Sequence, residues 1–195
     1  MTEIEALRRR LKPEADAQGT KLTALAFHTK ALAKSLAVFP RFNASLSADG
    51  QTLWLKHFFH IAIAVDTPFG LMVPVIRNVD QKGLLAIAAE IALMAKSAQV
   101  RKLRPEDMGG ASMSISNLGG IGGTAFTPIV NPPEVAIMGL TRTEIRPVWN
   151  GTSFDPRLMV PLDLSYDHRV INGADAARFM CHYTNLISQP ARLVL

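Results

Sequence analysis

The chain predicts an α+β fold built on a mixed sheet, and three observations carry that expectation. Apolar residues recur at steps of three and four in several long stretches, which is the stripe of an amphipathic helix. Alternating or short apolar runs mark seven or more strands, several in succession without an intervening helix. Turn pairs such as Asp49-Gly50 and Asn150-Gly151 punctuate them. Strands in runs with interspersed helices, and few strict strand-helix-strand alternations, read as an α+β or mixed-sheet sandwich.

In order, Thr2 to Lys12 predicts a helix ending before Pro13. Leu22 to Phe39 predicts a longer one, with Leu22, Leu25, Ala26, Leu32, Ala33 and Leu36 on one side, stopped by Pro40. Phe42 to Ser47 and Thr52 to Lys56 bracket Asp49-Gly50 as a hairpin. His60 to Asp66 and Leu71 to Arg77 read as strands around Pro68-Phe69-Gly70. Leu84, Ile87, Ala88, Ile91, Ala92, Ala95 and Ala98 mark a third helix, ending before Pro105. Strands follow at Ser112 to Asn117, Val135 to Thr141, Ile145 to Trp149 and Leu158 to Tyr166. A last helix starts near Gly173, its stripe made by Ala176, Phe179, Met180, Tyr183, Leu186 and Ile187.

With 195 residues, the chain suits a single domain. Its apolar runs are broken by Glu90 and Lys96 well short of a membrane span. The acidic, helical opening lacks the features of a secretory or transit segment, and Cys181 is the only cysteine. Together these point to a reducing cytoplasm. The net charge of +5 comes from scattered Lys and Arg, denser at Arg8 to Lys12 and Lys96 to Arg104. Without an aromatic-lined basic face or a docking motif, both runs read as solvated helix faces rather than a nucleic-acid surface. The positive bias still favours an anionic substrate.

Two patterns are decoys. Gly120-Ile121-Gly122-Gly123-Thr124-Ala125 matches a dinucleotide fingerprint on paper, but Pro128, Pro132 and Pro133 forbid the helix whose N-terminus that motif needs. His57 and His60 stand three apart on an expected strand, so they would face opposite ways, and no cysteine or carboxylate cluster completes a metal site. His28 and His182 fall inside helices and read as structural.

His168 is different. It follows an expected strand end and precedes an expected helix, flanked by Asp167 and Arg169, and such rigid placement is what proton transfer requires. The string Asp167-His168-Arg169-Val170-Ile171-Asn172-Gly173-Ala174-Asp175-Ala176-Ala177-Arg178-Phe179 resembles the catalytic domain of the dihydrolipoamide acyltransferases, core components of 2-oxoacid dehydrogenase complexes. A second block, Ser114 to Gly139, carries the same resemblance, worded most like the acetyl-transferring, pyruvate dehydrogenase branch. Pro40 to Ser45 and Gly70 to Arg77 extend it over nearly the whole chain.

The resemblance implies a chloramphenicol-acetyltransferase-like mixed sheet covered by helices. It implies acetyl transfer between a dihydrolipoyl thiol, carried by a separate domain, and coenzyme A, with no metal. His168 would take the thiol proton, Ser116 would donate a hydrogen bond to the tetrahedral intermediate, and Asn172 stands where most relatives carry aspartate. Leu118, Gly119, Phe126 and Thr127 are the candidates to line the coenzyme A channel. The family's site lies between subunits of a trimer, the histidine from one chain and the serine from its neighbour. Its trimers join into cubic or icosahedral cores through C-terminal residues, a contact that Leu193-Val194-Leu195 would suit, the alternative being a frayed tail or one tucked against its own domain. The partners implied are lipoyl domains and the other components of the complex. Residues 1–195 would then be one catalytic domain, lacking the lipoyl and peripheral-subunit-binding domains and a first strand. Two other readings compete: a free-standing acyltransferase acting on a small hydroxyl or amine, and a core subunit without turnover.

Overall fold

A computed structural model describes residues 1–193. Four long helices are found there, α1 (Thr2–Ala17), α2 (Ala24–Val38), α3 (Leu84–Gln99) and α4 (Gly173–Ser188), with eleven strands. None of these helices is long and apolar enough to cross a membrane.

Five strands make the central sheet: β3 (Ile61–Ile63), β6 (Val75–Ile76), β7 (Met113–Asn117), β8 (Ala136–Leu140) and β11 (Leu162–Tyr166). Their spatial order is β11-β8-β7-β3-β6. The two outer pairings are antiparallel and the two inner ones parallel, so the sheet is mixed as expected. Alternation along each strand gives the sheet two unlike faces. Ile61, Ile63, Ile76, Met113, Ile115, Ala136, Met138 and Leu140 point into the main core. There α2 packs against both α3 and α4. Phe42 and Phe179 stack at 4.2 Å within that core. The opposite face carries Ala62, Ser114, Ser116, Gly139, Asp163 and Ser165 beside Val75 and Ile137, with a small second apolar cluster of Ala62, Val75 and Ala111.

Three two-stranded hairpins surround the sheet. β1 (Ala44–Leu46) and β2 (Leu53–Leu55) pair across the Asp49-Gly50 turn, with Gly50 at φ +71°. The expected strands His60 to Asp66 and Leu71 to Arg77 are each divided. Their inner parts, β4 (Val65–Thr67) and β5 (Gly70–Met72), form a separate hairpin, while β3 and β6 stay in the sheet. The expected strand Leu158 to Tyr166 is likewise two, because Pro161 removes a ladder donor and lets the chain turn between sheets. β10 (Phe154–Met159), unforeseen before Leu158, pairs with β9 (Glu144–Trp149) around Asn150-Gly151.

Helix α1 also corrects the expectation, since it runs through Pro13 to Ala17. Proline removes one hydrogen bond, but the turn beyond it buries Ala15 completely, and Gly19 at φ +65° then closes the helix. His57 lies in a bend and His60 in irregular backbone just before β3, neither within a strand; His60 Nδ1 accepts from the Asn78 N–H at 3.0 Å. Leu193 is buried against the chain's own core, and Val194 and Leu195 lie outside the described residues.

Candidate active site

His168 is exposed in the tight turn between β11 and α4. Both sides of that turn are fixed. The Asp167 N–H donates to the Val135 carbonyl at 2.8 Å, and the Asp167 carbonyl accepts from Val170 and Ile171 at 3.0 Å each. Asp167 and Arg169 flank His168 and lie on the same side of the turn. They form a forked ion pair across the turn, with Nη2 to Oδ2 at 2.6 Å, and this hydrogen bonding holds the Asp167 carboxyl below its usual range. The imidazole stands 5.5 Å from the Tyr166 ring.

Asn172 is the N-cap of α4. Its Oδ1 accepts from the Asp175 N–H at 2.8 Å, leaving the amide nitrogen free to donate. Aspartate and asparagine cap helices about equally well. The capping role therefore does not need a carboxylate.

Ser116 sits near the open end of β7, half-buried, its hydroxyl unpaired among the described residues. Register fixes its neighbours: Ser116 pairs with Gly139, and Gly139 with Asp163. A Cβ on Gly139 would lie 2.9 Å from the Phe126 ring, so only glycine lets Phe126 settle over the strand beside Ser116. Sequence reasoning named Phe126 but missed Asp163, one of whose oxygens is buried without a partner. The strict small-polar alternation of Ser112, Ser114 and Ser116 was the available signal for that polar face. Leu118 and Gly119 follow directly, the Leu118 N–H on the Leu140 carbonyl and the Gly119 N–H on Asn117 Oδ1. The segment between β7 and β8 contains no helix, as its prolines require. Thr127 is exposed, and nothing brings it to Ser116.

His168 and Ser116 do not meet within one chain. Asp163, level with Ser116, lies two strands across, about 10 Å, and His168 comes five residues, roughly 16 Å, further along, so the separation is about 19 Å. A serine and a histidine side chain together span less than half of that. Each residue is accessible, and each lies at an opposite end of the sheet.

The overall architecture matches that of a chloramphenicol acetyltransferase, with TM-score 0.57 at 16% identity, over 89% of this chain and 81% of that one. The fold is therefore that of the chloramphenicol-acetyltransferase class. The family model of the 2-oxoacid dehydrogenases acyltransferase catalytic domain matches residues 1–195, and the chain belongs to that family. It is 54% identical over 195 residues to the dihydrolipoyllysine-residue acetyltransferase component of the pyruvate dehydrogenase complex of Azotobacter vinelandii, covering all of this chain and 31% of that protein. The corresponding component from Cupriavidus necator is 52% identical, with 35% of its length covered. The chain thus spans about a third of the length of these curated relatives. Among solved structures, the Azotobacter vinelandii dihydrolipoamide acetyltransferase and the cubic core of a pyruvate dehydrogenase multienzyme complex each superpose with TM-score 0.98 at 54% identity. Both comparisons cover all of this chain and 80% of the other.

Proposed function

We propose that this domain transfers an acetyl group between a dihydrolipoyl thiol and coenzyme A, as the acyltransferase core of a pyruvate dehydrogenase-type complex. The observation that carries this reading is the placement of His168 and Ser116 at opposite, accessible ends of one sheet. A base and an oxyanion donor set so far apart make a site only when a second copy brings its His168 to this chain's Ser116. Studies of the Azotobacter enzyme concern a serine, a histidine and an asparagine in its catalytic mechanism, spaced in sequence as Ser116, His168 and Asn172 are here. That correspondence supports the same three roles in this chain.

The incoming thiol gives its proton to the His168 imidazole. The thiolate attacks the thioester carbonyl, and the oxyanion that forms receives the Ser116 hydroxyl hydrogen bond. Collapse expels the other sulfur, which recovers the proton from His168. The Asp167–Arg169 pair and the Asn172 cap keep the imidazole in place, so no reorganisation is needed as charge develops. Phe126, packed on Gly139, walls the space beside Ser116 and limits the acyl group. Leu118 and Gly119 line the adjoining approach for coenzyme A, with Thr127 at its outer margin.

Homotrimers, joined further into a larger cubic or icosahedral core, are the assembly this reading requires. Lipoyl domains deliver the acyl group in the cytoplasm. Residues 1–195 act as the single catalytic domain of that assembly. The test is acetyl transfer from acetyl-coenzyme A to free dihydrolipoamide, with particle mass recorded on the same sample. Activity in a trimer or larger particle supports the reading; an assembled particle without turnover overturns it in favour of a scaffold.

A further inference from the structure

A polar cavity of about 260 Å³ lies at the Ser116 end of the sheet, on its core side. Its walls include the first turn of α2, the start of the glycine-rich segment at Gly119 and Gly120, and Arg142 just beyond β8. Three features of that lining favour a negatively charged guest.

Helix α2 begins at Thr23 without a side-chain cap, so the first-turn N–H groups at Ala24 and Leu25 face the cavity with no intrahelical partner. Arg142 has no carboxylate within ion-pair distance among the described residues, and its guanidinium lies along the glycine-rich segment, 3.4 Å from where a Gly122 Cβ would stand. No aspartate or glutamate lines the cavity.

The independent observation is His28. Its side chain lines the cavity although the residue is only 2% exposed. His28 Nδ1 lies 2.6 Å from the Tyr183 hydroxyl, deep between α2 and α4. That hydroxyl is fully buried with no other partner among the described residues, so it donates to Nδ1, which leaves the ring proton on Nε2. Among the described residues Nε2 has no hydrogen-bond partner, and it is not one of their fully enclosed unpaired polar atoms, Asn43 Oδ1, Glu134 Oε2 and Asp163 Oδ2. It is therefore open to the cavity as a donor. Burial pushes the His28 imidazole down to about 3, so at neutral pH it contributes a fixed N–H rather than a charge.

We propose that this cavity binds a phosphate group through the His28 Nε2–H, the Arg142 guanidinium and the α2 N-terminus. The cavity has room for the group itself and not for a nucleotide, so the phosphate is either free or carried on a larger ligand that projects from the mouth. The cavity shares Gly119 with the approach proposed for coenzyme A, and because binding is measured without turnover the two readings can fail separately.

Calorimetric titration of the intact protein with inorganic phosphate, and separately with adenosine 3′,5′-bisphosphate, tests this. Saturable binding is expected, weakened at least tenfold in Arg142→Gln and by added salt, and unchanged in the control Lys102→Gln. Tighter binding of the bisphosphate, also lost in Arg142→Gln, identifies a carried phosphate; binding of phosphate alone identifies a free one. His28→Gln should weaken binding several-fold. If that variant misfolds, the Arg142→Gln comparison stands on its own, since Arg142 is exposed. Failure of both ligands to bind, or binding indifferent to Arg142→Gln, overturns the proposal.

Discussion

The two ends of the central sheet are built by opposite strategies. At the His168 end the chain fixes everything itself: a turn closed by backbone hydrogen bonds, an ion pair straddling the histidine and a helix cap two residues after Val170. At the Ser116 end the strand opens into a glycine-rich segment, and the nearest ordered wall is a phenylalanine that fits only because Gly139 lacks a side chain. The contrast separates two requirements of acyl transfer. A base must be held in one orientation, whereas an oxyanion donor must be reachable by two thiols and an acyl group. Dividing them between two ends lets one be rigid and the other open.

Substitutions at the two ends should differ accordingly. His168→Ala removes the base, with an expected loss of roughly 10³–10⁴-fold in kcat at unchanged particle mass; near wild-type turnover would exclude the assignment. Ser116→Ala should cost roughly 10²–10³-fold in kcat with little change in KM, as for other oxyanion donors. Enlarging the open end through Phe126→Ala should raise the relative use of propionyl- over acetyl-coenzyme A by about tenfold, read as a ratio of kcat/KM values. At the rigid end, Asn172→Ala should lower stability by about 1 kcal/mol through loss of the cap, while Asn172→Asp retains it. Equal melting temperatures for those two variants would show that the cap carries no weight.

A further comparison concerns pH. Burial lowers the folded-state pKa of His28 to about 3, against an unfolded value of about 6.5. Below pH 6.5 the unfolded chain binds a proton that the folded chain refuses, so stability falls as pH drops from about 6.5 toward 3. His28→Gln should flatten that part of the stability curve, as measured by denaturant titration at several pH values. An unchanged slope would mean that other groups dominate the window.

Much of this organisation was legible in the sequence, for identifiable reasons. Helix α4 and the turn before it could be read because Ala176, Phe179, Tyr183 and Leu186 keep helical spacing and Asn172 is a good cap. The β1–β2 hairpin could be read because Gly50 supplies a backbone conformation that few other residues adopt. The passage of α1 through Pro13 could not, since what rewards it is the tertiary burial of Ala15. The division of Leu158 to Tyr166 was signalled by Pro161, but the sheet that each half joins depends on distant partners. The candidate base and oxyanion donor were found through motif resemblance. Their separation, the seating of Phe126 on Gly139 and the pairing of His28 with Tyr183 all rest on contacts between residues far apart in sequence, which local pattern does not carry.

The most direct test of the shared site is complementation between inactive variants. His168→Ala and Ser116→Ala chains, each inactive alone, are unfolded together, refolded at equal concentration and assayed for acetyl transfer. A site formed between neighbouring copies predicts recovery of about a quarter of wild-type activity, the fraction of random interfaces that pair an intact histidine with an intact serine. No recovery in co-assembled particles of normal mass would contradict it, since both residues would then have to come from the same chain.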